Sequence, residues 1–328
     1  MPIRTTIVGS YPKVTEDGSD NLSGVIDRWQ RQIVPDDVLE QELQKVTRRV
    51  IQEQEQAGLD LLTDGQIRWE DLSHPVARSS EGINRGTLRR FFDNNVYYRR
   101  LELDGSVSWK KSVVVDEWIF ASKAARRPVK AVLPGPLTLV TSTEPKAGQT
   151  RESLLNLFTD LLRKEVEVLE KAGVKEIQID EPAFTAGEPL LEKTMASINR
   201  IFEGVKARRW VAVYFQDPLS ILPALTKLKV EVLSLDLVSA QEKTQNLLTR
   251  VADWFKKGAW ESEVALGLVD GRNTKLEKPE EIAHELKAFA AAIPADRLWL
   301  SSNCGLEFLP HSSALKKLKL LKETAQLT

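Results

Sequence analysis

The chain has 328 residues, of which 42% are hydrophobic and 28% are charged, and its formal net charge is -1. This composition excludes a disordered protein, and the balanced charge excludes a strong general attraction to nucleic acid or to an anionic membrane. The single cysteine excludes an internal disulfide, and the first residues, Met1 to Thr5, lack the apolar stretch of a secretory signal, so we expect a cytoplasmic enzyme or binding protein.

The chain begins with the pattern of a β-α-β unit. A β-branched run is followed by a Gly-Ser-Tyr-Pro turn at residues 9–12 and by a polar loop that contains Trp29. Residues 35–57 predict a helix, because proline and acidic residues occupy its first turn and Gly58 follows its last residue. A second short strand, which ends just before Asp64, completes the unit.

The same alternation of strand and helix continues to the end of the chain. Helices are predicted over residues 154–172 and 279–292. Predicted strands occupy residues 3–8, 59–63, 129–133, 175–179, 210–213, 230–235, 264–268 and 297–300. This alternation favours an α/β fold, a single (β/α)8 barrel of the TIM type over residues 1–328. The alternative is two open α/β domains that divide near Gly148, although no Gly-x-Gly-x-x-Gly motif of a dinucleotide-binding domain follows the first strand.

An insertion at about residues 70–115 interrupts the alternation between the second and third strands. Residues 97–109 alternate around Asp104-Gly105, which predicts a β-hairpin with its turn at that dipeptide. We interpret the arginines of the insertion either as members of surface ion pairs, which is the commoner case, or as a clamp for a carboxylate or phosphate group. These arginines are Arg85, Arg89, Arg90, Arg99 and Arg100.

In a barrel of this kind the C-terminal ends of the strands meet at one face, where the active site lies. The pair Asp180-Glu181 suits binding of an amine or a raised carboxyl pKa. Cys304 is either a small buried hydrophobe or a thiolate with partners elsewhere, and Asp217 and Asp270 are equally well explained as helix caps. The polar residues at the predicted strand ends are Ser10, Asp64, Gln66, Arg68, Asp180, Glu181, Tyr214, Gln216, Asp217, Asp236, Asp270, Arg272, Asn303 and Cys304.

Five motifs together resemble the cobalamin-independent methionine synthase family in its single-barrel form. They occur in the family's order and spacing, and they span nearly the whole chain. The motifs are IVGSYP at 7–12, TDGQIR at 63–68, LPGPLT at 133–138, IQIDEPA at 177–183 and NCGL at 303–306. The resemblance implies a methyltransferase of methionine biosynthesis, in which a folate-type donor passes its methyl group to the thiol of homocysteine and zinc binds that thiol as thiolate.

The zinc ligands of the family are a His-x-Cys pair after the fifth strand, a Glu after the sixth and a Cys after the eighth. The resemblance assigns Asp236 and Cys304 as catalytic residues and as possible metal ligands, whereas Tyr214 and Gln216 replace the His and the Cys of the pair. Tyrosine and glutamine are poor zinc ligands, so we expect weak zinc binding or none. The histidines lie elsewhere in the predicted fold, at His74, His284 and His311.

The resemblance also assigns residues to the substrates. Asp180 matches the aspartate that holds the amine of the amino acid and is the third predicted catalytic residue, while Gln66 replaces the partner glutamate. Ser142 replaces a tryptophan that packs on the pterin of the methyl donor. Together with polar residues at adjoining strand ends, the predicted substrate-binding set is Val8, Ser10, Asp64, Gln66, Arg68, Ser142, Glu181, Tyr214 and Gln216.

Two hypotheses of different class follow. The retained Asp180 and Cys304 favour a methyltransferase, whose substrates are an amino-acid thiol and a methylated pterin. The lost His, Cys and Trp favour a zinc-less, catalytically silent paralogue, which binds substrate or serves as the partner subunit of a zinc-bearing single-barrel methionine synthase. Neither hypothesis includes a nucleic acid or a membrane as partner.

Overall fold

Strands and helices alternate along the chain in the computed structural model, which describes residues 3–91, 96–186, 190–239, 246–258 and 260–328. The strands of these residues are β1 (Arg4–Thr5), β2 (Ser80–Phe91), β3 (Val96–Trp109), β4 (Ala131–Pro134), β5 (Glu176–Asp180), β6 (Arg208–Val213), β7 (Val232–Asp236), β8 (Glu263–Val269) and β9 (Leu298–Ser302). The α-helices are α1 (Leu22–Gln30), α2 (Asp36–Ala57), α3 (His74–Ser79), α4 (Val114–Ala124), α5 (Pro136–Thr141), α6 (Arg151–Lys171), α7 (Leu191–Ile201), α8 (Leu222–Leu225), α9 (Leu247–Lys256), α10 (Pro279–Ala290) and α11 (His311–Gln326). Short 3-10 turns occupy Pro182–Ala186, Pro218–Ser220 and Ala295–Arg297.

Seven strands form one parallel sheet in the order β1-β9-β8-β7-β6-β5-β4. The predicted second strand, residues 59–63, closes this sheet between β1 and β4. On one side, the backbone N–H groups of residues 60–61 donate to the carbonyl of Thr5 at 3.0 and 3.2 Å. On the other side, Leu62 exchanges two hydrogen bonds of 2.9 Å with residues 128–130. Eight backbone segments therefore complete a ring, and the predicted (β/α)8 barrel is confirmed.

Strands from both sides of Gly148 lie next to one another in this ring, so the alternative of two open sheets is wrong. The floor of the barrel interior is apolar, and there the rings of Trp210 and Trp299 pack edge to face with centroids 5.0 Å apart. A second layer above the floor contains Val8, Ala212, Tyr214 and Cys304. The apolar floor closes the barrel interior at the N-terminal ends of the strands. The polar residues at the C-terminal strand ends therefore surround a pocket that opens on their own side. No helix in the described ranges is long and apolar enough to span a membrane.

The predicted long helix is present as α2, and its end follows the sequence signal. Gly58 adopts a left-handed conformation with φ 84°, which glycine reaches without strain and which stops a helix. The prediction of a loop around Trp29 is wrong, because this residue belongs to α1. The side chain of Asn21 caps α1 by accepting a hydrogen bond from Gly24 N, and Leu22 and Val25 are buried. Burial of this apolar side stabilises the helix despite its polar composition.

The predicted hairpin is present, but its turn was assigned to the wrong residues. β2 and β3 pair antiparallel from Ser80–Trp109 to Phe91–Val96, so the residues that connect them, 92–95, lie outside the described residues, and Asp104-Gly105 does not connect the two strands. Asp104 and Gly105 lie inside β3, where the pairing register shifts. Gly105 has a φ of 64°, so this dipeptide forms an irregularity within the strand rather than a hairpin turn.

Three arginines of the insertion have acidic partners, as the ion-pair interpretation requires. Arg85 contacts Glu70 at 3.0 Å and Asp71 at 2.7 Å. Arg99 contacts Glu70 at 3.4 Å, and Arg100 contacts Glu102 at 3.2 Å. The pairs of Arg85 and Arg99 fasten the hairpin to the segment that follows the second barrel strand, whereas the Arg100–Glu102 pair lies within β3.

Candidate active site

A pocket of about 740 Å³, including its open mouth, lies at the C-terminal ends of the barrel strands, under the β2-β3 hairpin. Its position is the one that the barrel fold predicts for an active site. The predicted site residues that line it are Val8, Ser10, Gln66, Ser142, Asp180, Tyr214 and Cys304. The predicted site residues outside its lining are Asp64, Arg68, Glu181, Gln216 and Asp236.

Asp180 is the buried acid of this pocket, with only 1% of its surface exposed. Its Oδ1 accepts a hydrogen bond from Gln178 Nε2 at 2.5 Å, and its Oδ2 accepts one from the Tyr214 hydroxyl at 3.1 Å. Burial raises the pKa of Asp180 to about 7, although these donors and the charge of Lys130 act in the opposite direction. Because each carboxylate oxygen accepts more than one hydrogen bond, Asp180 can also accept hydrogen bonds from a ligand.

Gln66 brings an unpaired donor to the same pocket. Its backbone is left-handed, with φ 52°, and its N–H donates to Asp64 Oδ1 at 2.9 Å. The side chain is 5% exposed, and its amide helps to lower the pKa of Asp180. Its Nε2 is near enough to Asp180 for this effect but completes no hydrogen bond of normal geometry with any described residue. An unpaired buried donor costs about 1–3 kcal/mol, so a ligand oxygen at this position would recover that cost.

Two predicted substrate residues make contacts that hold the barrel together instead. Glu181 turns towards the start of α5, where its carboxylate accepts hydrogen bonds from the backbone N–H groups of Leu137 at 2.8 Å and Thr138 at 2.7 Å. Burial raises the pKa of Glu181 to about 8. The guanidinium of Arg68 is bound by both carboxylate oxygens of Glu40 at 2.6 Å. Both side chains are therefore already engaged by the protein.

Asp236 is also engaged, through five hydrogen bonds. Its Oδ2 accepts from Phe215 N at 2.9 Å and from the Ser239 hydroxyl at 2.5 Å. Its Oδ1 accepts from the backbone N–H groups of Val238 and Ser239 at 2.9 Å and from Asn303 Nδ2 at 3.2 Å. Burial raises the pKa of Asp236, whereas four of these donors lower it. Phe215 has φ 81°, a rare conformation for an aromatic residue, and the hydrogen bond to Asp236 helps to hold it.

The side chains at the family's zinc positions do not fit a zinc ion. Both oxygens of Asp236 are occupied, the Tyr214 hydroxyl donates to Asp180, and Gln216 lies outside the pocket lining. Burial raises the pKa values of Tyr214 and Cys304 well above their usual range. Among the residues that the structure describes, no group of three or more His, Cys, Asp and Glu is placed to hold a metal.

The sequence reasoning missed an aromatic wall that the hairpin brings over the pocket. Phe91 packs edge to face on Tyr98, with centroids 5.3 Å apart, and on Phe215 at 6.2 Å. Tyr97 and Phe308 also line the pocket and are more than half exposed. The signal present in the sequence was the pair of tyrosines in the insertion, but pairing of β2 with β3 is needed to direct them to the pocket.

Four charged residues that line the pocket were also left out of the predicted set: Glu70, Asp71, Arg272 and Glu307. The guanidinium of Arg272 lies 5.6 Å from the centroid of the Phe215 ring. Burial raises the pKa of Glu307, while the charge of Lys13 and a hydrogen bond from the Ser10 side chain lower it. Arg272 had been located at a strand end, and Glu307 follows the NCGL motif directly, so extending that motif by one residue would have found it.

The sequence also matches a known protein family over nearly its whole length. The sequence model of the family described as "Cobalamin-independent synthase, Catalytic domain" matches residues 3–327. The chain belongs to the cobalamin-independent methionine synthase family. The resemblance expected from the five motifs is thereby confirmed.

Several known proteins are similar to this chain over nearly its whole length. A protein of Sulfurisphaera tokodaii named methionine synthase is 26% identical over 323 residues, which cover 96% of this chain and 89% of the relative. A protein of Lactiplantibacillus plantarum named 5-methyltetrahydropteroyltriglutamate--homocysteine methyltransferase is 25% identical over 328 residues, or 96% of this chain and 41% of the relative. A B12-independent methionine synthase from Shewanella sp. W3-18-1, solved in complex with selenomethionine, has the same fold. Its TM-score is 0.83 at 24% identity, over 99% of this chain and 97% of the other.

Proposed function

We propose that this protein transfers a methyl group from a folate-type donor to the thiol of homocysteine or of a similar amino acid. The observation that carries the proposal is a buried acceptor and a buried unpaired donor in one pocket, namely Asp180 and Gln66 Nε2. An amino acid has the complementary groups, an ammonium and a carboxylate. The names of the relatives support this assignment, as does the selenomethionine bound to the Shewanella protein.

The mouth of the pocket suits the methyl donor. Phe91, Tyr97 and Phe308 offer aromatic faces on which a flat pterin ring can stack, and these residues occupy the role that the family gives to the tryptophan replaced by Ser142. Arg272 supplies a cation beside them for the glutamate carboxylates of a folate. Amino acid and donor then meet between the strand ends and the hairpin.

Because the residues present do not fit zinc, side chains of the protein carry out the transfer without a metal. The bond from sulfur to the methyl carbon forms as the bond from the donor nitrogen to that carbon breaks. The thiol loses one proton and the donor nitrogen gains one, so the net reaction consumes no external acid or base. We assign the movement of this proton to Glu307, which lines the pocket and whose pKa is raised by burial.

The experiment measures binding and turnover of the protein after dialysis against a chelator. Calorimetry with L-homocysteine and L-methionine reports binding, and methionine formed from methyltetrahydrofolate reports transfer. A charge-assisted hydrogen bond is worth about 1.5–3 kcal/mol, so we expect Asp180→Asn to weaken amino-acid binding about tenfold or more. The matched control is Asp217→Asn, an acid at the end of the neighbouring strand that caps a 3-10 turn outside the pocket lining.

An absence of amino-acid binding to the wild type, or equal binding to Asp180→Asn, would reject the proposal. Binding without transfer, followed by transfer when a zinc-bearing single-barrel paralogue is added, would instead identify a zinc-less partner subunit. The comparisons do not favour that alternative. In either case we expect the protein to act in the cytoplasm, where its proposed substrates are.

A further inference from the structure

Lys130 lies inside the barrel, a position where lysine is rarely found. It immediately precedes β4 and is only 2% exposed. Its Nζ donates to the carbonyl of Ile7 at 2.7 Å and to Gln178 Oε1 at 2.6 Å, and it lies 5.0 Å from the centroid of the Trp210 ring. A buried ammonium group is costly unless other groups offset its charge. The structure provides such a group on the far side of Gln178, where Asp180 lies.

Gln178 connects Lys130 to Asp180 in a defined orientation. An ammonium group can only donate hydrogen bonds, so the amide oxygen of Gln178 must face Lys130. The amide nitrogen then faces the other way, where it donates to the carbonyl of Val8 at 2.7 Å and to Asp180 Oδ1 at 2.5 Å. With the amide reversed, its oxygen would face the carboxylate of Asp180, which would then have to take up a proton. The contact with Lys130 in its ammonium form excludes this reversed state.

The other titratable groups near this chain of hydrogen bonds are acids or neutral donors. Among the groups that influence Asp180, Lys130 is the one that brings a positive charge. Its own pKa is lowered by burial to about 7, while the charges of Asp180 and Glu176 act to raise it. Glu176 acts on Lys130, Glu181 and Tyr214 lie beside Asp180, and Cys304 and Glu307 act on Tyr214.

We propose that Lys130 is a positioning residue for ligand binding, which acts through Gln178 to hold Asp180 as a charged acceptor for an ammonium group. The inference rests on the proposed function, in which Asp180 binds the amine of an amino acid. Lys130 does not line the pocket, so it acts on the ligand only through Asp180. The ammonium of Lys130 and the carboxylate of Asp180 together leave the barrel interior close to neutral, and Asp180 therefore ionises at a lower pH than burial alone would allow.

The first test needs no ligand. Infrared difference spectra against Asp180→Asn identify the carboxyl band of Asp180, whose titration is followed in the wild type and in Lys130→Met. Methionine has a similar length without the charge. We expect the midpoint to lie at about pH 7 in the wild type and at least one unit higher in the variant, which lowers the ionised fraction of Asp180 at pH 7 from about one half to about one tenth or less. An unchanged midpoint would overturn the inference.

A matched control comes from the outer layer of the barrel. Lys317 is also fully buried and contacts Glu277 at 2.7 Å, far from Asp180 in the fold, so Lys317→Met should leave the titration of Asp180 unchanged. An equal shift in this control would show a general effect of losing a buried lysine and would overturn the inference. Gln178→Met keeps Lys130 but removes the amide that connects it to Asp180, so this variant should also raise the titration midpoint of Asp180. It replaces Lys130→Met in the test if Lys130→Met does not fold.

The second test measures L-methionine binding by calorimetry between about pH 5.5 and 8.5. Wild-type affinity should rise with pH and level off once Asp180 is ionised, whereas the affinity of Lys130→Met should still rise at the upper end of this range. A merely structural role predicts weaker binding by the same factor at every pH, and that result would overturn the inference. If the wild type binds no amino acid, the proposed function fails, but the ligand-free titration still decides the role of Lys130.

Discussion

Asp236→Asn tests whether the acid at the end of β7 is a structural residue or a metal ligand. The carboxylate accepts five hydrogen bonds, and the replacement amide has one oxygen and one NH2 group. If the amide oxygen takes the position of Oδ1, the bonds from Val238, Ser239 and Asn303 persist. The NH2 group then faces Phe215 N, which is also a donor, so this partly buried backbone N–H loses its bond to the side chain at 236.

The expected decrease in the free energy of unfolding follows from the loss of this hydrogen bond. An unpaired buried N–H costs about 1–3 kcal/mol, and hydrogen bonds to a charged acceptor are stronger than those to a neutral amide. Phe215 also loses the bond that helps to hold its left-handed backbone, with φ 81°. We therefore expect the free energy of unfolding to fall by about 2–4 kcal/mol. Because Phe215 lines the pocket, binding of a pterin should weaken as well.

Urea titration of wild type and variant, with zinc content measured on the same preparations, checks this reasoning. Asp270→Asn is the matched control, because Asp270 lies at the end of the next strand and its carboxylate accepts one hydrogen bond, from Arg272 N at 2.8 Å. We expect the control to lose less than about 1 kcal/mol. The structural account would be refuted if the wild type held one zinc per chain and Asp236→Asn lost the metal with little change in stability.

Three further predictions concern the pocket and the pH dependence of stability. Arg272→Ala should weaken folate binding most at low salt, as calorimetry at two ionic strengths would show, whereas the exposed Lys275→Ala should have no effect. Gly305→Ala should weaken amino-acid binding in the same assay, because the added Cβ would overlap Ser10 Oγ and displace that side chain from the pocket wall. Burial raises the pKa of Glu117 from 4.5 to about 7, so the folded protein retains a proton there that the unfolded chain has lost, and stability falls as pH rises through this window. Glu117→Gln should flatten that slope in thermal melts, and an unchanged slope would contradict the assignment.

The barrel could be predicted from the sequence because its signals are local and repeated. α2 ends where Gly58 permits a left-handed residue, and the parallel strands are short apolar runs that polar residues terminate. α1 was missed because only Leu22 and Val25 of its residues are fully buried, too few to give a clear period in a polar segment. The turn of the hairpin was misplaced because Asp-Gly favours a turn and a strand irregularity alike, and only the pairing of β2 with β3 distinguishes them.

The candidate site could be predicted only in part, because the sequence signals at strand ends are local as well. A strand-end position brings a residue to the correct face of the barrel, but it does not determine which way the side chain turns. Asp180 and Glu181 are adjacent, yet one meets the pocket and the other binds the start of α5. The left-handed backbones of Gln66 and Phe215 have no sequence signal, since neither residue type favours that conformation. Nor does a lysine before a strand indicate a buried charge.

The replaced zinc ligands and the buried lysine have one explanation in common. A zinc ion is usually the largest local charge in its site, and it keeps its thiolate and carboxylate ligands ionised. In this chain the thiol of Cys304 has a pKa well above its usual range, and the carboxylate of Asp236 is satisfied by protein donors. The positive charge inside the barrel lies instead on Lys130, connected through Gln178 to Asp180. A pocket arranged in this way stabilises an ionised carboxylate for an amine but not a thiolate, so under the proposed function a pocket residue such as Glu307 has to remove the proton of the thiol.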